Sequence, residues 1–194
     1  MSLLLAGLAV FLVSHSVGIA APDWRARQVA RLGERPWKLG YSVVSLVALV
    51  MIIWGYGAAR AEPTLVWMPP AWTRHVTALL TVIGFVLIAA AYVPGTRIKA
   101  AIGHPMTAGV ALWALGHLLG NGRLAGVALF GTLFLWAAVT FAVRRARDRA
   151  AGIGYPPGRG RQDAIVFIAG VVFSIVFAVA LHGPLIGVRP FALV

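Results

Sequence analysis

The chain has 194 residues, 60% of them hydrophobic and only 11% charged, with a mean hydropathy of +0.88; this excludes an ordinary soluble domain and points to membrane helices. There is no cysteine, which excludes disulfides, thiolate-ligated haem, iron–sulfur clusters and thiol nucleophiles. The formal net charge of +12 is not read as a nucleic-acid footprint, because the Arg and Lys residues lie in short segments between apolar runs, where they set topology and meet anionic membrane lipid.

Taken in chain order, six apolar runs predict transmembrane helices over residues 3–21, 39–58, 75–93, 106–120, 124–143 and 164–181. The first run lacks a basic flank before it and is interrupted by Ser14-His15-Ser16. It therefore reads as a retained helix with its N-terminus outside rather than a signal peptide. Loops 22–38, 94–105 and 144–163 together carry thirteen of the basic residues, whereas the alternate side carries four: Arg60, Arg74, Arg123 and Arg189. The positive-inside rule puts the thirteen in the cytoplasm and both termini on the outer, periplasmic side. The expected architecture is all-α, a single polytopic helical bundle of about six spans over residues 1–194. The segment 61–75, with Pro63, Pro69 and Pro70 and the aromatic anchors Trp67 and Trp72, has no helical period. It reads as a loop resting on the headgroups, or as a lid.

Two imidazoles fall within the spans. An unpaired imidazole at that depth costs a few kcal/mol. His15 shares a helical face with Phe11 and Gly18, and His117 shares one with Trp113 and Gly120, beside Gly116. Each is read either as bonded to a backbone carbonyl or as the ligand of a metal-containing cofactor. Gly116 and Gly120 form a small-xxx-small pair, which serves close helix packing or leaves room for a flat macrocycle edged by Trp113. At about 1.5 Å per residue His15 lies roughly 18 Å from the outer edge and His117 roughly 16 Å from the inner edge. In a core about 30 Å thick both are near the middle, where they could flank a haem iron. His104, before Pro105, is thirteen residues from His117 and projects to the opposite helical face, so it is at most a secondary site residue. His75 is a second such candidate, and His182 stands at a membrane end. No local zinc spacing, carboxylate-oriented triad or phosphate loop occurs.

These blocks carry a resemblance. Ser14-His15-Ser16, Leu32-Gly33-Glu34-Arg35, Pro70-Ala71-Trp72-Thr73-Arg74-His75, Ala91-Tyr92-Val93-Pro94-Gly95, and His104-Pro105-Met106 followed by Trp113-Ala114-Leu115-Gly116-His117-Leu118-Leu119-Gly120-Asn121-Gly122 resemble the NnrU family. The family is associated with denitrification and nitric oxide metabolism in bacteria, and is similar to the plant zeta-carotene isomerase, a membrane enzyme with a b-type haem. The resemblance implies a multi-pass protein of the bacterial inner membrane, haem b as cofactor, and His15 and His117 as ligands of the haem iron. It suggests redox-dependent cis–trans isomerisation of an apolar isoprenoid or carotenoid polyene. Where the isomerase has a cysteine three residues before its second ligand, this chain has Ala114, so a thiolate ligand switch is not available to it. A non-enzymatic alternative is an assembly or maturation factor for a membrane nitric oxide reductase. A third, a membrane methyltransferase, rests on the partial likeness of residues 103–109 to an RHPxYxG motif; Gly103 and Thr107 depart from it. Cationic partners for haem propionates stand on both sides, Arg97 and Lys99 or Arg74 and Arg123.

Overall fold

In lipid no water satisfies the backbone, so an apolar chain must pair its N–H and C=O groups internally, as helix. The computed structural model describes residues 1–61 and 64–190, and the chain divides into two units, Met1–Thr64 and Leu65–Val194. Among the described residues the structure is helical apart from one isolated antiparallel bridge.

The first unit is a hairpin of α1 (Ser2–Ala20) and α3 (Glu34–Ala59), joined by α2 (Pro22–Leu32). The turn residues explain the breaks. Pro22 opens α2, where its missing N–H costs nothing, and Gly33 between α2 and α3 has φ +88°. α1 and α3 run antiparallel, with Gly7 against Met51 and Ile52 and Gly55 against the backbone of Leu3 and Leu4. Leu4, Leu8, Ala48 and Ile52 are buried between them. α2 buries no residue.

The second unit contains α4 (Thr73–Tyr92), α5 (Arg97–Ile102), α6 (Pro105–Gly120), α7 (Leu124–Ala150) and α8 (Gly160–Val176). A π-helical turn, Phe177–Leu181, and α9 (His182–Ile186) continue α8. α4 is central. On one side α6 lies antiparallel to it, so close that a Cβ at Gly84 would sit 2.8 Å from the Gly109 carbonyl oxygen. The Thr77 hydroxyl donates to the Gly116 carbonyl across the same seam at 2.7 Å. On another side α8 meets α4, with Gly170 against Val86 and Phe85 edge-on to Phe173.

Five helices are long and apolar enough to cross a membrane: Ser2–Ala20, Glu34–Ala59, Thr73–Tyr92, Leu124–Ala150 and Gly160–Ile186. The fourth predicted run, 106–120, folds as α6, only 16 residues and about 24 Å long, short of a 30 Å core; it lies along α4 nonetheless. The protein is thus a polytopic helical membrane protein whose apolar helices contact lipid. Two expectations shift. The loop predicted at 22–38 contains α2, and α7 continues beyond residue 143 to Ala150. Arg and Ala are good helix formers, so loss of apolar character marks the edge of the lipid and not the end of the helix.

The two basic loops of this unit meet at one end, as the charge alternation predicts. Arg159 N donates to the Gly95 carbonyl at 2.8 Å, and Ile98 N to Asp163 Oδ1 at 3.3 Å. At the other end the proline-rich segment is pinned to the α6–α7 turn. Val66 N donates to the Gly122 carbonyl at 2.8 Å, and Leu65 bridges Arg123. Glu62 and Pro63, within that segment, lie outside the described residues.

The seam of α4 and α6 sets an expectation for stability. A Cβ at Gly109 would stand 2.5 Å from the Gly84 carbonyl oxygen and 3.0 Å from Ile88 Cγ1, whereas one at Gly57 meets nothing within 4 Å. Gly109→Ala should therefore destabilise the protein by about 1–3 kcal/mol through overpacking, and Gly57→Ala should leave it unchanged or slightly firmer. Unfolding midpoints in detergent measure the difference; equal midpoints for the two variants contradict the close packing.

Candidate functional site

His15 and His117 are held by the same local device. Each imidazole places Nδ1 2.9 Å from the carbonyl oxygen of the residue four before it, Phe11 for His15 and Trp113 for His117. A carbonyl only accepts, so Nδ1 carries the proton and donates, and Nε2 carries the lone pair. The aromatic side chain of that same preceding residue packs against the ring. Phe11 stacks on His15 at 3.9 Å between centroids and 20° between planes, and Trp113 lies 5.0 Å from His117, tilted by 47°. The signal is legible as aromatic-x-x-x-His, since residues four apart share a helix face.

The surroundings differ. In the first unit, Ser14 Oγ lies 3.1 Å from His15 Nδ1 and donates to the Val10 carbonyl at 2.8 Å, and Tyr41 of α3 approaches the His15 ring to 5.2 Å. In the second unit, His117 faces α7, where Phe130 lies 4.8 Å from its ring and 5.5 Å from Trp113. Gly116 and Gly120 face α4 instead. A Cβ at Gly116 would be 3.0 Å from Leu80 Cβ, and one at Gly120 would be 2.5 Å from Thr77 Oγ1. The space their missing side chains leave is filled by α4. Ala114 is fully buried.

The remaining histidines separate by their hydrogen bonds. His75, in the first turn of α4, is exposed. His182 follows the π-helical turn, whose extra residue per turn re-aims the residues after it. Its Nδ1 donates to the Val188 carbonyl at 2.7 Å and its ring stands edge-on to Phe177. Sequence position alone gave His182 no role beyond a membrane end.

His104 takes the opposite tautomer. Its Nε2 donates to Asp148 Oδ2 at 2.7 Å, across from the N-terminus of α6 to the charged extension of α7. The Tyr155 hydroxyl donates to the same carboxylate oxygen, and Arg145 lies over the Tyr155 ring at 5.3 Å. Gly103, at φ +78°, leaves the space into which the Tyr155 ring fits. Asp148 lies beyond the apolar part of α7. The Tyr155 hydroxyl, then the His104 imidazole and Arg145, hold its carboxyl below the ordinary aspartate range. Sequence reasoning missed this clasp because His104 lies 44 residues before Asp148 and no local spacing links them. Their one shared trait is scarcity: Asp148 is one of few acids in a basic loop.

The clasp should depend on the Asp148 carboxyl being ionised, since it accepts from both His104 and Tyr155. A depressed carboxylate pKa contributes stability that is full above the ordinary value of about 3.9. It is lost as pH falls through the lowered folded-state value. Amide exchange protection of residues 151–159 should hold from pH 7 to about pH 5 and collapse only below about pH 4. Asp148→Asn should lose part of that protection at every pH, and protection unchanged in the variant rules the clasp out.

No curated protein and no solved structure matches the chain. A family model described as NnrU protein matches residues 3–190, nearly the whole length, and takes in both imidazole-bearing helices and the clasp. The chain belongs to the NnrU family.

Proposed function

We propose that this protein is a haem b protein of the bacterial inner membrane, with His15 and His117 as the axial ligands of the iron. The observation that supports it is the repeated arrangement of the two imidazoles. Each donates Nδ1–H to a carbonyl and so presents a neutral Nε2 lone pair, which is how metal-ligating histidines are oriented and made more basic. The donor set suits haem in a second respect. Both rings lie against aromatic side chains, Phe11 and Tyr41 for one, Trp113 and Phe130 for the other, surfaces against which a flat macrocycle would pack.

Bound haem supplies one-electron redox chemistry and, when one axial ligand is absent, a site for nitric oxide or an alkene. The chain's own residues set the terms. Ligation by His15 and His117 would hold the iron six-coordinate, and Ala114 offers no replacement thiolate. The reading therefore favours electron transfer or redox sensing linked to nitric oxide metabolism over isomerisation of a polyene. His104 and His75 are outside the ligand set, His104 because its Nε2 carries the proton given to Asp148.

Protein purified from cells supplied with haem should show a b-type absorption spectrum that sharpens on reduction. His15→Ala and His117→Ala should each lose the six-coordinate low-spin form and bind haem at least about tenfold more weakly, the loss commonly seen when a metal site is disturbed. His104→Ala should keep the spectrum. A folded protein that takes up no haem contradicts the proposal, and co-purification of that haem-free protein with a nitric oxide reductase subunit would point to an assembly role.

A further inference from the structure

The first unit carries a cavity next to the His15 site, with Ser14 and Tyr41 common to both. It has a volume of about 300 Å³ and lies among α1, α2 and α3, with Val17, Trp24, Leu32, Trp37, Tyr41 and Val44 in its wall. The wall is almost wholly apolar, and His15 is not part of it. Its roof is α2, a helix with no buried residue. Trp24 and Leu32, eight residues apart, share the stripe of α2 that faces the cavity. Trp24 meets Trp37 of α3 edge-on at 5.9 Å, and both tryptophans are typical of a headgroup boundary.

The other character of α2 is its charge. Arg27 and Arg31, four residues apart, form the neighbouring stripe and are both exposed. Within residues 22–38 five basic side chains face only two acids, Asp23 and Glu34. Glu34 is already paired with Lys38 at 2.7 Å. An apolar slot roofed by a helix whose neighbouring stripe carries two exposed arginines matches an amphiphile that has a hydrocarbon chain and an anionic head.

We propose that this cavity binds one acyl chain of an anionic phospholipid, whose phosphate is met by Arg27 and Arg31. Chain burial supplies the affinity and the guanidinium groups supply the preference for negative charge. The site adds a membrane anchor to α2, beyond its Trp24–Trp37 contact with α3.

Gly40 gives a clean test, because a side chain there meets no heavy atom within 4 Å and so enters the cavity without a clash. Full-length protein is incubated with vesicles of equimolar phosphatidylglycerol and phosphatidylcholine, repurified in neutral detergent, and its bound lipid is quantified by mass spectrometry. The wild type should retain phosphatidylglycerol in preference. Gly40→Leu should cut retention of both lipids by about tenfold, the effect of excluding a few methylenes. Val44→Trp, filling the same space from the next turn, should do likewise if Gly40→Leu fails to fold. Arg27→Gln with Arg31→Gln should lower phosphatidylglycerol retention by more than about tenfold, roughly fivefold for each charge near the surface, and even out the two lipids. The proposal is overturned if the cavity-filling variants retain lipid like the wild type, which would mean adsorption to charge alone. It is equally overturned if phosphatidylcholine is preferred, or if those variants lose haem or a co-purified polyene while keeping phospholipid.

Discussion

The second unit depends on the contact of α4 with α6 at Gly84 and Gly109. Between helices in lipid there is no hydrophobic driving force, so association rests on close packing and on hydrogen bonds across the seam. Two glycines let the backbones approach, and the Thr77 hydroxyl bonds the Gly116 carbonyl where they do. The consequence reaches the candidate ligand. Because Gly116 and Gly120 face α4, the next residue after Gly116 is turned by about 100°, away from α4 and toward Phe130 of α7. The packing of small residues thereby aims His117.

The two membrane imidazoles answer the same energetic problem in the same local way. A polar ring in an apolar helix needs a partner for its N–H, and the carbonyl four residues back is always within reach. Using it fixes the tautomer, and the tautomer decides the chemistry, since a ring that donates from Nδ1 is left with Nε2 as its basic atom. His104 shows the converse. Its proton sits on Nε2, engaged by Asp148, so the residue nearest to His117 in motif ties α6 to the charged end of α7.

That tie and the basic helix α2 lie at the edges of the apolar segments, where hydropathy is least informative. Tyr155 reaches back to Asp148, and Arg145 covers the Tyr155 ring. In the first unit, Trp24 and Trp37 hold α2 against α3 while its arginines face outward. Both places were legible only as charged loops. The run of arginines was read for its sign, which told the side of the membrane. It carried no hint of which single acid or tyrosine would be recruited, because those contacts depend on where the helices end and on the approach of His104 from a distant segment.

By itself the sequence determined the helical class, the positions of the apolar runs to within a few residues, the alternation of the basic loops and the aromatic-x-x-x-His pairs. Each of these follows from local composition or from the 3.6-residue period. Only the tertiary structure decided that α6 is too short to be a full span, that α7 outlasts its apolar stretch, that Gly116 and Gly120 are filled by α4, and that His104 belongs to Asp148. The physical reason is common to all four. Hydropathy reports where a segment prefers to be, whereas the neighbour of a given side chain is set by helix azimuth and by close approach at small residues. Neither is encoded within one turn of chain.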